Sequence, residues 1–157
     1  MSKQKETYLT PEGKERMQKE LAELQGPQRI ALAERLRSAI EMGDLSENAD
    51  YHKAKEDQAF LEGRIQELKH ILSNATVIKN DGKPKTVVNV GTSVTIQEDD
   101  FPPETYYLVG AKEADPRNGK ISHESPIGSA LLDHKVGDVV EANAPGGTMK
   151  FKILKIE

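Results

Sequence analysis

One repeat in the middle of the chain restricts its folding more than any other feature. Tyr51, Ala54, Gln58, Leu61, Ile65, Leu68 and Leu72 stand 3, 4, 3, 4, 3 and 4 residues apart, a 3.5-residue period held for three heptads. On an α-helix such a row stays on one face and calls for a second helix along it. A strand, with its period of two, would scatter the same residues over both faces. The preceding segment supplies the partner: Met17, Leu21 and Leu24, then Leu32, Leu36 and Ala39 or Ile40, recur at helical steps. Thr10 is a natural N-cap, and Pro11 falls at the first helical position, where its missing N–H costs nothing. Gly26-Pro27 is expected to interrupt or kink this helix, or to open a following one. A short turn at 42–46 makes the pair antiparallel, because so brief a connection cannot return the chain to a parallel start. A second helix of ~27 residues would be a rod of roughly 40 Å. Residues 42–50 are its tip.

After Ser73-Asn74 the pattern changes. Segments 76–79, 86–97, 105–109, 138–142 and 149–156 are rich in Val, Ile, Thr and Tyr and read as strands. Asn80-Asp81-Gly82 and Pro145-Gly146-Gly147 are turns, and Ser125-Pro126 can cap a short helix through Leu132. The expected class is α+β, with a coiled-coil hairpin over 1–77 and a small mixed domain over 78–157.

Composition narrows the function classes. With 36% hydrophobic and 4% aromatic residues in 157, the chain is lean for one compact core, and 31% charged residues suit much solvated helix surface. A net charge of −4 weighs against gripping nucleic acid unaided, since that requires several phosphates to be neutralised by clustered cations. There is no cysteine, so thiolate metal sites and disulfides are excluded. The start, MSKQKETYLT, lacks a signal-peptide apolar stretch, and no apolar run approaches the ~18 residues that span a bilayer. A cytoplasmic monomer without membrane partners is expected.

The tip carries the unusual chemistry. In GDLSENADYHKAKEDQ, Asp44 and Glu47 are three residues apart, so if the second helix begins near Asp44 their carboxylates share a face. Two exposed carboxylates can share a divalent cation, but Mg²⁺ wants six oxygens, so a partner must complete the set. The same D-x-x-E is also a helix start, with Asp44 capping and Glu47 reaching back, both favoured by the helix dipole. Capping explains these two acids but not the presence of Glu41 and Asp50 beside them. Arg35, Arg37, Lys53 and Lys55 form either a basic collar for phosphates or a solvated surface bridged to Glu56 and Asp57. His52, His70, His123 and His134 lack ligand spacing, and no Ser/His/Asp order, phosphate loop or zinc signature is present.

The tip GDLSENADYH with KAKEDQAFLEGRIQEL, and ADPRNGKISHESPIGSALLDHKVGDVVEANAPGGTMKFKILKI in the C-terminal half, resemble the bacterial Gre factors, the GreA/GreB family of transcript cleavage factors. The resemblance runs from TPEGKERMQKEL almost to the end. It implies an FKBP-like C-terminal domain that binds the rim of the RNA polymerase secondary channel, and a hairpin that enters the channel. Asp44 and Glu47 match the family's acidic pair, which helps hold a second, weakly bound Mg²⁺ at the polymerase centre and orients an attacking water. The polymerase's own aspartates would complete the coordination, so no ion is bound stably by the factor alone, and the factor itself is not an enzyme. The RNA acted on would be the nascent 3′ end of a backtracked complex.

Ser46 falls at a usually polar position of the motif; it could bond a phosphate or water, or cap the helix. Lys55 matches a position that is basic in the family, Lys53 lies beside it, and Ile40 stands where many relatives carry a basic residue, leaving Arg37 one turn back to cover the RNA. Ser122, Ser125, Pro126 and Gly128 match S-x-x-S-P-x-G, a candidate polymerase contact whose residues equally suit a helix start and close packing. Prolyl isomerase activity does not follow from the fold, and so few aromatics suggest no apolar aromatic pocket. The alternative function is a channel-binding regulator that does not stimulate cleavage.

Overall fold

The computed structural model describes residues 6–79, 82 and 85–157. The chain divides into two compact units, Lys14–Asn74 and a second joining Met1–Gly13 to Ala75–Glu157. No helix among the described residues is long and apolar enough to cross a membrane.

The first unit is helical. Helix α1 (Pro11–Glu23) runs through a π-turn, Leu24–Gln28, into α2 (Arg29–Glu41), and α3 (Ala49–Asn74) returns alongside α2. Gly26-Pro27 therefore interrupts the α-helical ladder, as a π-turn, without ending the helix. The wider π-turn absorbs the missing Pro27 donor, and the ladder resumes with Arg29 N–H donating to the Gly26 carbonyl.

Leu32 and Ala39 of α2 are buried, as are Ala54, Ile65, Leu68 and Ile71 of α3. Ala39 is 3% exposed and Ile40 51%, which settles which of the two belongs to the buried stripe. At the far end Ile71 is buried and Leu72 only half-buried, the drift expected when a 3.6-residue helix follows a 3.5-residue repeat. Arg29 pairs bidentately with Glu62 (2.9 and 2.8 Å), Arg64 with Glu20 (2.7 and 3.0 Å), and Arg35 with Asp57 (3.0 Å). Hydrogen bonding from these guanidinium groups holds the Glu20, Asp57 and Glu62 carboxyls below the usual carboxylate range. Being solvent-exposed, such pairs fix register more than they add stability.

The second unit is a five-stranded sheet of order β5-β4-β3-β7-β6, built from β3 (Ser93–Gln97), β4 (Glu104–Val109), β5 (Lys120–Ser122), β6 (Val139–Ala144) and β7 (Gly147–Ile156). Neighbours are antiparallel except β4 and β5. Val94 and Ile96 alternate inward on β3, Phe151 and Ile153 on β7, and Leu131 of helix α4 (Pro126–Leu131) joins them in one core with Val88, Leu108, Ile121, Val140 and Ala142. A two-stranded parallel sheet pairs β1 (Tyr8–Leu9) with β2 (Thr76–Val77). The architecture is α+β.

One strand expectation needs correction, and two strands were not expected. The segment 86–97 is extended as a strand only from Ser93, because Thr92 folds back onto the Asn89 carbonyl through both its N–H (3.1 Å) and its hydroxyl (2.6 Å). Strands β1 and β5 had no sequence signal, being two and three residues long and defined by distant partners. Of the turn expected at 80–82, Asn80 and Asp81 lie outside the described residues.

Glu113, also unforeseen, is 6% exposed and accepts from Thr10 N–H (2.8 Å) and hydroxyl (2.6 Å). Thr10 in turn accepts from Gly13 N–H (3.0 Å), the N-cap bond read from the sequence. A Cβ at position 13 would lie 1.8 Å from Glu113 Oε1, so the glycine makes room for this carboxylate.

Candidate functional site

Helix α2 ends as Met42 and Gly43 donate to the carbonyls of Ala39 (3.2 Å) and Ile40 (3.1 Å). The chain then turns left-handed twice, with φ of 78° at Gly43 and 40° at Asp44. Glycine accepts this region freely, and aspartate tolerates it when its short side chain is bonded locally. That bond comes from Ser46, whose hydroxyl donates to Asp44 Oδ1 at 2.9 Å. Glu47 N–H closes the turn on the Asp44 carbonyl at 3.2 Å.

The second helix begins at Ala49, five residues later than a start at Asp44 would place it. Asp44 is therefore not its N-cap, Glu47 does not reach back over its first turn, and Ser46 does not cap it. The cap is Asn48, whose Oδ1 accepts from Tyr51 N–H at 3.0 Å. The carboxylates of Asp44 and Glu47 thus lie on a loop rather than on a helix face. Both are exposed, and neither has an ion-pair partner among the described residues. Exposed Ile40, Met42 (71%) and Leu45 (41%) are their neighbours along the chain. Among the described residues no three His, Asp or Glu side chains converge as a metal site. Hard carboxylate oxygens are the donor type Mg²⁺ takes, so the pair fits part of its shell.

The basic residues separate into two kinds. Arg35 and Lys53 both pair with Asp57, at 3.0 and 3.3 Å, and Lys53 also approaches Glu56 at 4.0 Å, the surface reading. Lys55 has no acidic partner among the described residues: it donates to Gln58 Oε1 at 3.4 Å and sits 5.9 Å from the centre of the Tyr51 ring. Arg37 is exposed with no acidic partner among the described residues.

Two family descriptions cover most of the chain, the first spanning the helical unit together with β1 and β2, the second most of the sheet unit. Residues 7–77 match "Transcription elongation factor, N-terminal", and residues 83–157 match "Transcription elongation factor, GreA/GreB, C-term". The chain belongs to the GreA/GreB transcription elongation factor family. It is 49% identical to transcription elongation factor GreA of Chloroflexus aggregans over 98% of both chains, and 45% identical to that of Acetivibrio thermocellus over 99% of both. Among solved structures it matches the GreA factor homolog 1 protein of Thermus thermophilus at 29% identity, covering 98% of this chain and 99% of that one with a TM-score of 0.45.

The C-terminal motif of this GreA/GreB chain is built inward. Ser122 accepts from Glu124 N–H through its hydroxyl (3.0 Å), and its carbonyl takes both the N–H (3.0 Å) and the hydroxyl (2.7 Å) of Ser125. Ser125 caps α4 by accepting from Gly128 N–H at 3.0 Å. A Cβ on Gly128 would stand 2.0 Å from the Ser122 carbonyl oxygen, so only glycine closes the loop. Ser122, Ser125 and Gly128 are committed to the loop's own construction, while Pro126 remains exposed. The sheet unit also holds a pocket of about 220 Å³ with Ile96, Phe101, Pro102 and Phe151 in its lining, which two phenylalanines shape despite the low aromatic content.

Proposed function

We infer that this protein is a transcript cleavage factor: it binds bacterial RNA polymerase in the cytoplasm as a monomer, its hairpin enters the secondary channel, and its tip stimulates the polymerase's own cleavage of backtracked RNA at the 3′ end. The observation that carries this reading is the release of Asp44 and Glu47 from helix capping. Asn48 does that work, and the two acids are left exposed, with no cation partner among the described residues, on a loop held by its own hydrogen bonds.

Asp44 and Glu47 would hold Mg²⁺ together with carboxylates of the polymerase. An ion held there would stabilise developing negative charge and lower the pKa of a bound water. Two carboxylates bind Mg²⁺ weakly alone, so this chain's contribution depends on its partner. Ser46 holds Asp44 in place through 2.9 Å and would bond RNA phosphate or water with its remaining capacity. Arg37 and Lys55, which have no carboxylate partner among the described residues, would meet the RNA backbone, with Lys53 joining them by leaving its surface pair. The Ser122–Ser125–Pro126–Gly128 loop would be a polymerase contact, presenting Pro126 from a rigid frame.

The test is RNA cleavage in a stalled, backtracked elongation complex, comparing no factor, this protein, and its Asp44→Ala/Glu47→Ala form at matched polymerase occupancy. Shortening from the 3′ end only with the intact protein supports the proposal. If both proteins bind and neither shortens the RNA, the chain is a channel-binding regulator instead. Incubation with RNA and Mg²⁺ in the absence of polymerase should give no hydrolysis.

A further inference from the structure

Asn48 joins both helices of the hairpin through one side chain. Its Oδ1 accepts from Tyr51 N–H (3.0 Å) on α3, while its Nδ2 donates to the carbonyls of Ala39 (2.7 Å) on α2 and Gly43 (3.3 Å) in the loop. The amide orientation is fixed by chemistry, because two carbonyls require a donor and an N–H requires an acceptor. Its backbone takes part as well, donating to the Leu45 carbonyl (3.4 Å) and accepting from His52 N–H (3.1 Å). Asn48 thus touches the end of α2, the loop and the start of α3 across the two left-handed residues Gly43 and Asp44.

A serine or aspartate would cap α3 as well as asparagine does, since capping needs only an oxygen acceptor. Neither could donate to the two carbonyls across the loop. A plain cap therefore does not require an amide here, whereas bracing the loop against both helix ends does. Asp44 lies beside one of the two braced carbonyls, and its left-handed backbone is a conformation that persists only where its surroundings hold it.

We propose that Asn48 is a positioning residue for the cleavage activity: its amide locks the tip loop so that Asp44 and Glu47 are presented in one fixed arrangement. This rests on the function proposed above. Groups that orient metal-binding carboxylates without touching the ion change activity by roughly tenfold or more when removed.

The experiment uses the full chain with Asn48→Ser and Asn48→Asp, both of which keep the cap. In the free protein, amide hydrogen exchange is followed at Gly43 and Glu47, whose N–H groups close the loop. In backtracked complexes, the maximal cleavage rate and the factor concentration giving half of it are measured separately. The expected result is faster exchange at Gly43 and Glu47, helix content near wild type, an unchanged half-maximal concentration, and a maximal rate lowered roughly tenfold. The aspartate variant makes the demand stricter, because it adds a carboxylate and should still lose rate. Wild-type exchange in both variants would overturn the clamp. Wild-type cleavage with faster exchange would overturn its positioning role, as would a loss explained wholly by weaker polymerase binding. If the unaltered protein shortens no RNA, the proposed function and this catalytic role fall together, whereas exchange alone still decides whether the amide clamps the loop.

Discussion

Two loops in this protein use similar residues for opposite ends. Each precedes a helix, each contains serine and glutamate, and each following helix is capped by one polar side chain, Asn48 at α3 and Ser125 at α4. Around Ser125 the polar groups of the motif turn inward: Ser122 and Ser125 bond each other and the backbone, and Gly128 packs against a carbonyl with no room for a Cβ. At the tip the inward work is concentrated in Asn48, and Asp44 and Glu47 face solvent. Neither acid caps α3, and Asp44 takes only the neighbouring Ser46 hydroxyl on one oxygen, so both keep carboxylate oxygens available to a partner. Glu113 marks the opposite extreme, a buried carboxylate engaged by Thr10.

Substitutions that separate duty from display should show this contrast as a graded series in stability. Gly128→Ala should cost the most, about 2–3 kcal/mol in denaturant unfolding of the sheet unit, since a backbone carbonyl must yield to the new Cβ. A change under 1 kcal/mol would show the loop to be more pliable than its packing indicates. Ser125→Ala should cost about 1 kcal/mol through the lost cap. Gly43→Ala meets no steric contact, so its cost of about 1 kcal/mol should come from the left-handed φ alone and appear as faster amide exchange near residue 43. Asp44→Ala with Glu47→Ala should cost about 1 kcal/mol, all of it from the left-handed backbone at Asp44 once the Ser46 bond is lost, with exposed Glu47 adding almost nothing. A larger loss would return these acids to a structural role.

A smaller effect concerns the helical unit. Glu20, Asp57 and Glu62 have lowered pKa values through Arg64, Arg35 and Arg29, so the pairs stabilise the hairpin above the ordinary carboxylate range and lose that contribution as pH falls through the depressed values. Helical circular dichroism should melt at a modestly lower temperature at pH 3 than at pH 7, and 1 M salt should shrink the difference. The tip substitutions should leave this pH dependence unchanged.

The hairpin was legible because a 3.5-residue repeat is a local and redundant signal, repeated from Tyr51 to Leu72. The start of α3 was not. D-x-x-E at Asp44 and Glu47 imitates a capping box, while Asn48, an equally good cap followed by Asp50 in the first turn, was the residue to weigh against it. The π-turn escaped because Pro27 ordinarily breaks a helix, and nothing local shows that the ladder can widen around it. Strands β1 and β5 and the Thr10–Glu113 contact depend on partners far along the chain, 103 residues apart for the last, which no local pattern reveals. Asp44 and Glu47 stand out by residue type and by the motif they match; that neither caps α3 only the geometry could show.

The most direct test is the Mg²⁺ dependence of RNA cleavage in backtracked elongation complexes at saturating factor. If the tip carboxylates contribute ligands, the intact protein should lower the Mg²⁺ concentration needed for half-maximal cleavage by roughly tenfold or more relative to polymerase alone, and Asp44→Ala/Glu47→Ala should bind yet leave it where polymerase alone has it. Equal Mg²⁺ dependence with the intact and substituted tips would contradict the claim that these acids complete another enzyme's metal site.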